Sequence, residues 1–175
     1  MDMTGDVGNN AQHNRMRLTE IIQAAAERVY QLLGSGLNES VYQKALVIEM
    51  MDLNLAKITD SRVLIQTEVP VPYTYKGSVV GHGRIDILIT IGTSSLFVVE
   101  VKARKNQLNV SDQEQLLQYI AALMTDRKVH TGGMLILFTS NGIQTARTEH
   151  DRQPEDIVRQ SALSMGRQEE TTKEK

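Results

Sequence analysis

The sequence contains no cysteine. This absence excludes disulfides, thiolate-bound zinc and cysteine-held iron–sulfur clusters, and it is compatible with a reducing compartment. No apolar run approaches the ~20 residues that a transmembrane helix needs. Residues 1–17 are polar and lack the apolar stretch of a secretory signal peptide. We therefore expect an intracellular protein without membrane contact, in either the cytoplasm or the nucleus.

A large excess of one charge is also missing. The 19 Lys and Arg residues nearly balance the 21 Asp and Glu residues, and the formal net charge is −2. This balance argues against a broad phosphate-binding surface. Contacts with nucleic acid would have to come from local basic clusters, and the affinity would be modest and sensitive to salt.

The 175 residues suffice for one domain with a buried core. We predict a disordered N-terminal lead over residues 1–17, a folded domain over 18–149 and a C-terminal segment over 150–175. In that last segment a short helix after Pro154 is a candidate, followed by a disordered tail. The tail is almost wholly charged or polar, a composition that cannot offset the entropy lost on ordering.

Three helices are predicted. Apolar residues recur at helical spacing from Leu18 to Leu33, and Gly34 follows as a stop signal. Asn38 is a candidate N-cap for a second helix. The pair Ser111 and Glu114 has the spacing of a capping box, which predicts a third helix through about Leu123.

Four β-rich stretches complete the predicted core, over residues 63–71, 79–91, 96–102 and 134–138. Residues 92–95 predict a hairpin loop between the second and third of them. The resulting order, α-α-β-β-β-α-β, predicts a mixed sheet covered by helices.

A charged pair lies inside the third of these strands. Residues two apart in a strand point to the same face, so Glu100 and Lys102 project together. Their apolar neighbours indicate a buried strand, where a charged pair is costly unless it is compensated. Taken alone, the pair also fits an edge strand with a solvated Glu–Lys face.

Asp86 is a second carboxylate inside an apolar strand. The hairpin register places it within one residue of direct opposition to Glu100, where Cβ atoms lie about 4.5–5.5 Å apart. Two like charges so close are destabilising unless a cation or a shared proton lies between them. Mg²⁺ commonly takes one or two carboxylates plus waters and phosphate oxygens. With Lys102 to hold a hydroxide or offset phosphate charge, the set suffices for phosphodiester hydrolysis.

These residues resemble a known family. Asp86, a spacer with a turn, and Glu100-Val101-Lys102 resemble the PD-(D/E)XK nuclease superfamily, although Ile85 stands where its name has proline. Residues 36–42 match the GxxExxY signature of one small branch. Residues 115–119 have the Gln-x-x-x-Tyr spacing of RecB-type and lambda-type exonucleases. The resemblance covers residues 18–138.

The resemblance implies a restriction-endonuclease-like α/β core, with a central mixed β-sheet flanked by helices. It also implies a nuclease that cleaves DNA with Mg²⁺ or Mn²⁺. Asp86 and Glu100 would bind the cation, with the Val101 carbonyl and Glu39 as further ligands, Glu39 directly or through water.

Three more residues receive roles from the resemblance. Lys102 would orient or activate the attacking water. Gln115 would position the substrate or the lysine, and Tyr119 would pack beside it or touch a phosphate.

Basic residues near the proposed site are candidates for DNA contact. They are Arg84, Arg104, Lys105 and Lys76. No array of base-reading side chains is present, so we expect backbone contacts with weak sequence preference. Two alternatives stay open: a scaffold that kept the fold and lost turnover while binding nucleic acid or a protein partner, and a nuclease acting on RNA or branched DNA. The sequence leaves open endonuclease or exonuclease action, and also a homodimer.

Overall fold

A computed structural model describes residues 6–53, 62–93, 95–105, 107–124 and 130–150. The helices are α1 (Asp6–Leu33), α2 (Glu39–Asp52) and α3 (Val110–Met124), and the strands are β1 (Val63–Tyr75), β2 (Ser78–Ile91), β3 (Ser95–Ala103), β4 (His130–Thr139) and β5 (Gly142–His150). The candidate helix after Pro154 and the predicted tail lie outside the described residues. None of the helices in these ranges combines the length and the apolar character needed to cross a membrane.

The five strands form one mixed sheet in the order β1-β2-β3-β4-β5. β3 and β4 are parallel, and the other neighbours are antiparallel. A parallel pair needs a crossover connection, and α3 lies within it. The predicted restriction-endonuclease-like α/β architecture, a mixed sheet flanked by helices, is confirmed.

Each face of the sheet carries its own core. One face packs against α1 and α2, through Leu18, Ile22, Val29, Tyr42, Leu46, Met50, Ile87, Ile89, Phe97, Val99, Met134 and Ile136, among others. The other packs against α3, through Val71, Ile85, Leu88, Leu96, Val98, Leu116, Tyr119, Ile120 and Leu135. Covering both faces with helices explains why β3 and β4 are almost continuously apolar.

Helix α1 begins at Asp6, within the predicted disordered lead of residues 1–17. The apolar repeat begins only at Leu18, which is why the sequence pattern placed the start there. Extending an existing helix by one turn costs far less than nucleating one, so polar residues can continue it toward the N-terminus. Residues 6–17 are therefore corrected from a disordered lead to a helical extension.

Strand β5 is missing from the predicted element order. It pairs antiparallel with β4 at one edge of the sheet. Ile143 packs against the α1–α2 side and Ala146 against the α3 side, so neither face shows a run of large apolar residues. Pairing with the apolar β4, rather than its own composition, makes this segment a strand.

The N-terminus of α3 is capped by Asn109 and Asp112 rather than by Ser111 and Glu114. The Asn109 side-chain oxygen accepts the Asp112 N–H at 2.9 Å, and Asp112 Oδ2 accepts the Asn109 N–H at 3.1 Å. This is the reciprocal geometry of a capping box, with aspartate in the position usual for glutamate. Arg104 binds both Asp112 oxygens. These hydrogen bonds outweigh the effect of burial, so the Asp112 pKa is lowered.

We expect Asp112→Ala to destabilise the protein by about 2–3 kcal/mol, because it removes the cap and leaves Arg104 without its buried partner. Glu114→Ala is the matched control and should change stability by less than about 0.5 kcal/mol. Urea unfolding of both variants measures the difference. Equal losses in the two variants would contradict the assigned cap.

Candidate functional site

Asp86 and Glu100 lie where β2 and β3 separate. Backbone pairing of the two strands extends to Ile87 and Val99, and the next residues are Asp86 and Glu100. At these two residues, hydrogen bonds from backbone N–H groups to the carboxylates replace the backbone pairing of the strands. The Asp86 N–H donates to Glu100 Oε1 at 3.3 Å, and the Val101 N–H donates to Asp86 Oδ2 at 2.9 Å. The two carboxylates face each other across the strands, as the hairpin register predicted.

Strand β2 changes face at Asp86. Ile87 and Ile89 point into the core under α1 and α2, whereas Ile85 points into the core under α3. Strict alternation would keep all three on one side of the sheet. The reversal places Asp86 at the switch between the two cores.

Strand β1 changes face at the same row. Ile65 packs toward α1 and α2, and Val69 packs toward α3, although they lie four residues apart. Between them Glu68 adopts a left-handed conformation with φ 57°. The register places Glu68 level with Asp86. The β1–β2 ribbon therefore reverses its faces at a row that carries a carboxylate on each strand.

Burial dominates the electrostatics of Glu100, whose side chain is only 1% exposed. Burial and then the charge of Asp86 raise its pKa to about 8. Lys102 opposes this rise, with its Nζ 3.7 Å from Glu100 Oε2. Burial also raises the pKa of Asp86. The Val101 N–H and Lys102 work against that shift, whereas Glu39 and Glu68 add to it.

The donor set fits a hard divalent cation. Glu100 is a buried and Asp86 a half-buried oxygen donor, and both pKa values are raised, so joint ionisation is costly without a compensating positive charge. In the part of the chain that the structure describes, no three acidic or histidine side chains already form a metal cage. Two such oxygen donors suit a hard divalent cation, which would complete its coordination with other oxygen ligands such as water.

Helix α2 supplies one wall of a cleft of about 540 Å³ beside Asp86. The charged and amide side chains on this wall and on the facing strands are Asn38, Glu39, Gln43, Glu68, Arg84 and Asp86. Glu39 Oε1 accepts the Ala103 N–H at 3.2 Å, which fixes Glu39 beside the end of β3. The predicted ligand Glu39 thus lines the same cleft as Asp86.

Tyr42 secures the loop that leads into α2. Its hydroxyl donates to the Gly34 carbonyl at 2.8 Å and accepts the Leu37 N–H at 3.3 Å. Its ring stacks on Phe138 with centroids 4.1 Å apart. Asn38 occupies the N-cap position without a side-chain capping bond. Tyr42 therefore fixes the loop from which Glu39 begins the helix.

Gln43 and Glu68 belong to the cleft, and sequence patterns did not indicate them. Gln43 Nε2 donates to Glu68 Oε1 at 2.8 Å and to the Asp86 carbonyl at 2.6 Å. A polar residue directly after Tyr42 was the only signal for Gln43. Glu68 had none, because a carboxylate in an exposed strand stretch is ordinary.

Gln115 and Tyr119 approach the site from α3. Gln115 Nε2 donates to the Tyr119 hydroxyl at 2.9 Å, and that hydroxyl accepts the Arg84 N–H at 3.3 Å. Tyr73 lies beside them, and the charge on Glu100 contributes to raising its pKa, after burial and Tyr119. The predicted pairing of Gln115 with Tyr119 is present, and Tyr73 is an addition.

The four predicted DNA-contacting residues do not form one cluster. Arg84 lines the cleft and pairs with Glu68. Arg104 is committed to Asp112. Lys105 is exposed and lines a neighbouring cleft of about 270 Å³. Lys76 lies in the β1–β2 turn, with its Nζ 5.4 Å from the Tyr75 ring centroid. The structure thus places Arg84 beside Asp86 and separates the others from that cleft.

Comparison with known proteins gives one family. The family model of the PD-(D/E)XK nuclease superfamily matches residues 16–148. Among solved structures, the crystal structure of SSO0001 is 15% identical with a TM-score of 0.42, covering 94% of this chain and 87% of that chain. The comparison with curated proteins gave no match. The span of the family match contains every cleft residue.

The raised pKa of Glu100 predicts that stability depends on pH. Between its ordinary value of 4.5 and about 8, the folded state binds more protons than the unfolded state, so stability falls as pH rises. We expect Glu100→Gln in chelating buffer to flatten this fall. At pH values near 8 this variant should raise the free energy of unfolding by at least about 1.4 kcal/mol, which is the free energy that corresponds to one pKa unit. Urea unfolding across this range, with exposed Glu20→Gln as control, measures the effect. A Glu100→Gln protein less stable than wild type near pH 8 would contradict it.

Gly83 is required for the approach of the two tyrosines. A Cβ there would collide with the Tyr73 hydroxyl and lie 2.5 Å from Tyr119 Cε1, whereas at Gly81 the nearest atom, on Tyr73, is 3.8 Å away. We expect Gly83→Ala to cost about 1–3 kcal/mol through overpacking. Gly81→Ala, the matched control, should cost less than about 1 kcal/mol. Thermal unfolding measures both, and equal effects would contradict the packing argument.

Proposed function

The chain belongs to the PD-(D/E)XK nuclease superfamily, and on that premise we propose that it is a metal-dependent nuclease that hydrolyses DNA phosphodiester bonds. We also propose that it is a member of the GxxExxY branch. Supporting that finer placement, Gly36 has a left-handed φ of 88°, Glu39 lines the cleft, and Tyr42 fixes the intervening loop.

One observation carries the catalytic proposal. Glu100 is buried opposite Asp86, with Lys102 3.7 Å away. A fold that needed only stability would not favour two carboxylates and an amine in a mostly apolar strand pair. Perturbed carboxylates beside an open cleft are instead typical of active sites.

Mg²⁺ or Mn²⁺ at Asp86 and Glu100 would supply Lewis-acid stabilisation of phosphate charge and a nucleophile at neutral pH. We propose Glu39 and the Val101 carbonyl as additional ligands. Lys102 is only 15% exposed, so its ammonium is held beside the carboxylates. There it can orient the attacking water or offset charge on a phosphate oxygen.

On the other side of the site, the α3 residues would shape the substrate position. Gln115 is tied to Tyr119, and Tyr119 to the Arg84 main chain. We propose that Gln115 positions the substrate or Lys102 and that Tyr119 supports it. Few basic side chains line the cleft, so recognition should use the DNA backbone with weak sequence preference.

We expect Lys102→Ala to lower cleavage of plasmid, linear or single-stranded DNA by at least about 100-fold, the usual contribution of a group that assists proton transfer. Asp86→Asn should weaken the binding of Mn²⁺ itself. The measurements are cleavage assays with Mg²⁺ or Mn²⁺ and calorimetric titration of Mn²⁺ into the protein.

Lys44→Ala is the matched control, because Lys44 is an exposed lysine on α2 and its removal should leave cleavage unchanged. Lys102→Ala should retain the fold and Mn²⁺ affinity. A wild-type protein that binds DNA and Mn²⁺ but cleaves no nucleic acid would support the scaffold alternative. Cleavage of RNA or branched DNA alone would change the substrate class.

A further inference from the structure

We propose that Glu68 is a positioning residue that holds Arg84 for a phosphate of the substrate. This inference rests on the proposed nuclease function. It assigns a role to a carboxylate that belongs to none of the sequence motifs and that lines the cleft beside Asp86.

The geometry of the ion pair leaves Arg84 able to bind a second anion. Arg84 Nε lies 2.6 Å from Glu68 Oε2, and the Arg84 side chain is 70% exposed. The closest contact is made by Nε, and a guanidinium with this exposure keeps N–H donors that a second anion can reach. A guanidinium is planar and can donate to a carboxylate on one edge and to a phosphate on another.

Glu68 is itself held from the protein side. Gln43 is only 5% exposed, and its Nε2 donates both to Glu68 Oε1 and to the Asp86 carbonyl. An exposed ion pair alone is worth about 0–1 kcal/mol and orders its arginine poorly. The buried amide fixes the carboxylate that holds Arg84, and it ties that carboxylate to the main chain of Asp86. Gln43 thereby keeps Arg84, the proposed phosphate contact, at a fixed distance from Asp86, the proposed cation ligand.

The backbone at Glu68 provides independent support. Its φ of 57° is a left-handed conformation that costs a residue with a Cβ on the order of 1 kcal/mol. Glycine or asparagine would adopt it more easily. Strand stability therefore does not explain a glutamate here, whereas two polar contacts from its carboxylate do.

Two possible roles of Glu68 predict opposite changes in DNA affinity when its charge is removed. Loss of a negative charge beside DNA should tighten binding if Glu68 is only a neighbour of the phosphate path. If Glu68 positions Arg84, binding should weaken despite the more favourable net charge. The sign of the change is the test.

The experiment measures fluorescence anisotropy of a labelled DNA duplex with the full chain carrying Lys102→Ala, so that no cleavage occurs. In this background we expect Glu68→Gln and Arg84→Ala each to weaken binding about three- to tenfold, which corresponds to about 0.7–1.4 kcal/mol. The double variant should bind no more weakly than Arg84→Ala, because both changes remove the same contact.

Three further variants separate positioning from folding or general charge. Glu68→Asn suits the left-handed backbone but is too short to hold Arg84, so it should bind as weakly as Glu68→Gln while melting no lower than the parent. Arg84→Lys keeps the charge without the planar fork and should behave like Arg84→Ala. Glu20→Gln removes an exposed negative charge from α1 and should not weaken binding.

In the cleaving enzyme, Glu68→Gln should raise KM more than it lowers kcat, because a phosphate anchor acts before the chemical step. Tighter binding by Glu68→Gln, or losses that add in the double variant, would overturn this inference and leave the proposed nuclease intact. Failure of the Lys102→Ala protein to bind any DNA would overturn the DNA substrate and this inference together.

Discussion

Two carboxylates, one buried and one half-buried, lie opposite each other in the sheet and impose the constraint on which the site depends. Asp86 and Glu100 cannot both be charged there at low cost. Hydrogen-bond donors of the protein, rather than solvent, stabilise the negative charge of the two carboxylates. The N–H groups of Asp86 and Val101 each bind the carboxylate of the facing strand, and Lys102 adds a positive charge. Neighbouring strands can place those N–H groups there only because their regular pairing stops at this row.

The reversal of the β1–β2 ribbon makes this arrangement accessible. In β2, Ile85 before Asp86 faces α3, whereas Ile87 and Ile89 after it face α1 and α2. The switch row is therefore reached from helices on both sides of the sheet. Helix α2 brings Glu39 and Gln43, while α3 brings Tyr119 to the Arg84 main chain. In a strand whose side chains alternated regularly, each carboxylate would face the helices on only one side of the sheet.

Local rules were enough for part of the site. The opposition of Asp86 and Glu100 follows from counting residues across one hairpin, and the buried strands follow from their apolar runs. Gln43 and Glu68 could not be found that way. Their meeting depends on a left-handed residue in β1 and on the docking of α2 against the sheet. The cap of α3 was displaced for a similar reason, because Arg104 from the end of β3 selects Asp112 over Glu114. Periodicity carries no information about such tertiary choices.

The same constraint links stability to chemistry. Burial raises the pKa values of both carboxylates, and the charge of Asp86 raises that of Glu100 further. The pair therefore binds a proton tightly, and a cation at the same oxygens would have to displace that proton. Glu39 and Glu68 add negative charge around Asp86 and so increase the demand for a positive charge there. Arg84, which pairs with Glu68 in the cleft, and Lys102, which lies beside Glu100 on β3, supply part of that positive charge. Replacing the carboxylates with apolar residues would satisfy the sheet better, so the demands of folding alone do not account for two carboxylates in this row.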